Sequence, residues 1–75
     1  MSTDVVEQVF EIINRSSKPT TVTLEPWAEE CVLEAGEMCR ISLKTEAVDR
    51  GFEIEYFEGE VVIHFGTGST ADFVG

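Results

Sequence analysis

The sequence predicts an all-β fold: a small, single-domain antiparallel β-sandwich or partly open barrel of about six to seven short strands, spanning residues 1–75. Three observations predict it. Val, Ile and Thr together number 21, against four Ala and three Leu. Branched side chains suit a pleated, half-buried surface and lose rotamer freedom in a helix. Turn signals then recur every eight to twelve residues or so, the spacing of a sandwich or small barrel. They are Ser16-Ser17-Lys18-Pro19, Pro26, Ala35-Gly36, Asp49-Arg50-Gly51, Glu58-Gly59 and Gly66-Thr67-Gly68. Finally, the chain is 43% hydrophobic and 27% charged, a globular composition. A domain this short buries only about 60% of its unfolded surface, so the core is thin and leaves no room for a deep active-site cavity.

The first strand is expected at about Glu7–Asn14 and the second at Thr20–Glu25. A five-residue loop, Arg15 to Pro19, would pair Ile12 with Val22 and Phe10 with Leu24. Pro19 lacks an N–H and suits the loop. Asn14 can hydrogen-bond neighbouring backbone where that turn begins. The segment from Pro26 to Gly36 admits two readings. Trp27, Cys31 and Ala35 form a helical stripe, with Pro26 at a first-turn position and Gly36 as a stop. The short apolar run Cys31-Val32-Leu33 between acids instead suits a buried strand. A turn at Pro26–Ala28 and a strand from about Glu30 to Glu34 is the preferred reading. Met38–Thr45 follows as a strand with Cys39, Ile41 and Leu43 on one face, and Glu46–Asp49 as one helical turn.

The clearest element is the hairpin around Phe57-Glu58-Gly59-Glu60, where Gly59 permits the positive φ of a two-residue turn. Its register sets Phe52 opposite Phe65, Ile54 opposite Ile63 and Tyr56 opposite Val61, all on one face. The other face sets Glu53 opposite His64 and Glu55 opposite Val62. A one-residue slip would pair apolar with polar throughout. A last strand is expected at about Thr70–Val74, with Ala71 and Phe73 inward. The expected core is Phe10, Ile12, Val22, Leu24, Ile41, Leu43, Phe52, Ile54, Tyr56, Ile63, Phe65 and Phe73.

Fifteen acids face five bases, for a net charge of −10. Residues 52–75 and 25–37 contain acids and no Lys or Arg. Such a field repels phosphates and anionic lipid, which argues against nucleic acid or a membrane as partner. No apolar run approaches the roughly 20 residues of a membrane span. The acids Asp4, Glu7 and Glu11 near the N-terminus stand where a secretion signal carries Lys or Arg, so a cytoplasmic protein is expected. There thiols stay reduced, and Cys31 and Cys39 read as small core residues. They would meet across a hairpin at Glu34–Glu37 only with a loop one residue longer than the two-residue turn.

Three pieces of the chain carry a resemblance. They are Asn14-Arg15-Ser16-Ser17-Lys18-Pro19, Leu24-Glu25-Pro26-Trp27 and Leu33-Glu34-Ala35-Gly36-Glu37, with the Gly-rich turn Phe65–Thr70 after them. Together they resemble a group of short, uncharacterised bacterial all-β proteins with the pattern N-x-S-x-x-P, L-E-P-W, L-x-x-G-E. Ala28 stands where that group commonly has glycine, and Ala35 where it commonly has proline. The resemblance implies a bacterial, cytosolic, all-β protein and brings no activity with it.

Signatures of catalysis are absent, so the chain is not expected to be an enzyme. His64 is the single histidine and has no nucleophile at a recognisable spacing. A blue-copper centre needs two histidines. Gly66-Thr67-Gly68-Ser69 reads as a tight turn, because a phosphate cradle needs a helix after its glycines. No cofactor or metal is expected, since glutamates on alternating strand positions point apart and match no calcium loop. The expected role is a non-enzymatic protein-binding module whose partner has a basic or apolar patch. Its candidate contacts are Trp27, an aromatic of the hot-spot type, with the flanking acids Glu25, Glu29 and Glu30. The alternative is an acidic inhibitor that mimics nucleic acid and occupies a basic site.

Overall fold

The computed structural model describes residues 5–46, 52–66 and 68–74. Among them are seven strands: β1 (Val5–Ile13), β2 (Thr20–Glu25), β3 (Glu29–Leu33), β4 (Met38–Glu46), β5 (Phe52–Phe57), β6 (Glu60–Phe65) and β7 (Ser69–Val74). They form two sheets, one in the order β1-β4-β7 and one in the order β3-β2-β6-β5. The arrangement is a small open β-sandwich, as the β-branched composition predicts. The segment from Pro26 to Gly36 resolves as turn and strand, without a helix. Glu46 closes β4 instead of opening a helical turn; the remainder of that expected turn, residues 47–49, lies outside the described residues, as does Thr67 of the Gly-rich turn.

Three expectations of pairing are corrected. β1 does not form a hairpin with β2. It pairs with β4, setting Phe10 beside Ile41 and Ile12 beside Cys39. Ile12 and Val22 do share the interior, but from opposite sheets, because an inward-facing residue finds apolar cover as well across a sandwich as along a ladder. β3 and β4 likewise belong to different sheets, so the turn at Glu34–Glu37 crosses between layers and is not a hairpin. Nor is the sandwich wholly antiparallel, since β2 and β6 run parallel with Val22 beside Val61 and Leu24 beside Ile63.

The crossings are held by Asn14, which is buried. Its side-chain amide donates to the carbonyls of Lys18 at 2.8 Å and Leu33 at 2.9 Å. Its Oδ1 accepts from the Ser16 amide at 2.9 Å and the Ser16 hydroxyl at 2.7 Å. Its main chain bonds Glu37 and Gly36. Gly36 has a φ of 84°, a conformation that side chains resist. The Glu37 carboxylate accepts from the Glu34 amide at 2.8 Å and closes the turn. The N-x-S and L-x-x-G-E pieces of sequence therefore meet at one residue.

Val22, Leu24, Leu33, Ile41, Leu43, Ile63, Phe65 and Ala71 form the buried core, with Phe10, Ile12, Phe73 and both cysteines packed against it. Three expected core residues are not there. Phe52, Ile54 and Tyr56 are 41%, 57% and 75% exposed. The β5–β6 register is the one the sequence predicts, but a four-stranded sheet faces a three-stranded one. Its outer strand, β5, reaches cover only where Phe52 stacks on Phe10, at 5.5 Å between ring centroids.

Candidate functional site

β5 is a strand because it alternates from Phe52 to Tyr56: Phe52, Ile54 and Tyr56 on the inward side, Glu53 and Glu55 on the outward side, where Phe57 follows them. Gly59, at φ 78°, turns it back into β6. The sheet order leaves β5 an edge, and among the described residues nothing pairs with its other side. Ile54 and Tyr56 thus form an uncovered apolar strip. At one end of it opens a groove of about 220 Å³ between the layers, lined by Ile12, Tyr56 and Val61 among others.

Charge is segregated between the two outer faces. On the three-stranded sheet, Glu11 meets Arg40 at 3.0 Å and Glu7 meets Lys44 at 3.6 Å. On the four-stranded sheet, the registers bring together Glu25, Glu30, Glu53, Glu55 and Glu60, with no Lys or Arg on β2, β3, β5 or β6. His64 stands in that face, its neighbours across the ladders being Glu53 and Glu25. Its Nε2 lies 2.6 Å from Oε1 of Glu55, the diagonal neighbour on β5. Thr23 lies at the centre, 6% exposed, and its hydroxyl has no hydrogen-bond partner among the described residues.

The expected contact residues do not form one cluster. Glu25 and Glu30 share the outer acidic face. Glu29 lies on the opposite side of β3, at its rim, beside Leu24. Trp27 occupies the β2–β3 turn, 37% exposed, its ring 5.6 Å from that of Phe65. It closes one end of the core while keeping a face in solvent. That turn contains a cis Glu25–Pro26 bond and Ala28 at φ 58°. Sequence reasoning missed Ile54 and Tyr56 as surface residues. No local signal marks them, because alternation defines a face without saying whether a second layer covers it.

Cys31 on β3 and Cys39 on β4 project inward from opposite sheets and both are free thiols. Burial pushes the Cys39 thiol up from its ordinary range, and the neighbouring Cys31 thiol adds to the shift. Among the described residues, no group of three His, Cys, Asp or Glu side chains is placed to hold a metal ion. No helix of those residues is long and apolar enough to cross a membrane. No family model matches the chain, and no curated protein or solved structure matches it either.

Proposed function

We propose that the chain is a non-enzymatic, cytoplasmic protein-binding module whose contact surface is the uncovered strip of β5. The observation that supports this is the exposure of Ile54 and Tyr56, 57% and 75%, on a side whose pattern matches that of a core strand. Adjacent apolar side chains in water gain about 25 cal/mol per Å² when a partner covers them. Trp27 is a second aromatic open to contact, though its packing on Phe65 also gives it a structural task. A second reading is an acidic mimic that fills a basic site. The segregated glutamates of the four-stranded sheet favour it.

Capture from the source cell at low and high salt, with wild type and with Ile54→Thr/Tyr56→Thr, separates the two. A partner of the strip survives high salt and is lost with the double variant, which stays folded because both positions are exposed. A partner of the acidic face is lost as salt screens the charges, and the double variant retains it at low salt. No partner under either condition refutes both.

A further inference from the structure

We infer that the free edge of β5 accepts an extended strand from a partner, with apolar residues alternating with Lys or Arg. This rests on the binding-module reading and specifies its geometry. In a hairpin closed by a two-residue turn, Phe57 and Glu60 form a hydrogen-bonded pair. The alternation of an antiparallel ladder then commits the main chain of Glu53, Glu55 and Phe57 to β6. The amides and carbonyls of Phe52, Ile54 and Tyr56 point to the open side. Unpaired edges invite strand addition, and proteins guard them with lysine, proline or a bulge. The sequence of β5, Phe-Glu-Ile-Glu-Tyr-Phe, has no Lys or Pro, and its register runs unbroken.

The two sides of β5 define the occupant. Residues of an added strand that fall beside Ile54 and Tyr56 meet apolar neighbours, and those that fall beside Glu53 and Glu55 meet carboxylates. No Lys or Arg follows residue 51 to compete for those acids; His64 contacts Glu55 at 2.6 Å, and Glu53 has no such contact among the described residues. Of the other edges, β1 has Glu7 and Glu11 matched to Lys44 and Arg40, β3 carries Glu29 and Glu30 on opposite sides, and β7 carries the single acid Asp72. A second copy of this chain is the wrong occupant. Antiparallel pairing of β5 with itself sets glutamate against glutamate on one face, between molecules each carrying −10.

The test is NMR of the full chain titrated with three synthetic octapeptides, alternating Lys/Val, Glu/Val and Lys/Ser. Lys/Val is expected to shift the amides of Phe52, Ile54 and Tyr56 and slow their hydrogen exchange, while the other two bind at least about tenfold more weakly. Glu53→Lys/Glu55→Lys should invert the preference between Lys/Val and Glu/Val. Ile54→Lys, an inward charge on an edge, should abolish binding with the fold intact. Equal binding of all three peptides, or shifts confined to the Trp27 turn or the outer acidic face, overturns the inference. So does protection of the β5 edge amides without peptide in a chain that sediments as a dimer. A natural partner lost with Ile54→Thr/Tyr56→Thr that leaves the edge amides unshifted overturns strand addition and leaves the module reading standing.

Discussion

At the scale of single residues, Asn14 shows how one amide fixes a topology. Its two donors and its oxygen are all engaged, and their partners lie on two segments far apart in sequence. Asn14→Ala leaves the carbonyl of Leu33 buried without that donor and frees the loop, and should cost about 2–4 kcal/mol in urea unfolding. The local half of this role was legible, since Asn at the start of a turn bonds its own neighbours. The bond to Leu33, 19 residues away, was not, because nothing in the sequence says which chain end a side-chain amide will meet. Thr23 is the opposite case. Its hydroxyl is buried and has no partner among the described residues, so the near-isosteric Thr23→Val should leave stability unchanged or raise it by up to about 1 kcal/mol. A loss above that in thermal unfolding would mean that the hydroxyl is satisfied in solution.

Between elements, register proved readable and burial did not. The β5–β6 ladder follows from the turn residues and the alternation alone, because a slip would turn every apolar side chain outward. Alternation does not say whether the face it defines has cover. Ile54 and Ile63 are direct partners, yet one is 57% exposed and the other fully buried. Ile63→Ala should therefore cost about 2–5 kcal/mol and Ile54→Ala less than about 1 kcal/mol, measured by chemical denaturation. The same limit explains the misassigned partner of β1. Phe10 and Ile12 need apolar neighbours, and both β2 and β4 offer them at the right spacing. The cysteines mark the seam between the sheets. Because burial pushes its thiol up from the ordinary range, Cys39 should alkylate more slowly than an unfolded cysteine at mildly alkaline pH. The linkage sign is fixed by the same shift. The contribution is intact below the unfolded pKa and is lost as pH rises through the higher folded value. A Cys39→Ser variant should flatten that alkaline decline.

The whole molecule is organised by charge as much as by packing. The excess of acids was legible from composition. Their segregation was not, because it depends on strand order. The parallel β2–β6 pair is what brings Glu25 beside His64, and short apolar runs carry no mark of direction. Five glutamates on one face repel one another, so added salt should raise the denaturation midpoint by screening them. Replacing Glu25 and Glu60 by Gln should remove much of that dependence. An unchanged midpoint across salt would show that the face is already neutralised by bound cations.

β1 and β7 both run antiparallel to β4, on either side of it. Val5 lies beside Glu46 and Val74 beside Arg40, so the strands that flank β4 begin and finish at opposite ends of the sheet. Tension drawn between those two points pulls along the strands. The hydrogen bonds lie across that direction and are strained together, not opened one after another from a corner. The three-stranded sheet is therefore a shear clamp. Stretched from its ends, the molecule should resist as one unit and then yield in a single step, at a force well above that needed to peel β1 from β4 by tethers at Val5 and Glu46.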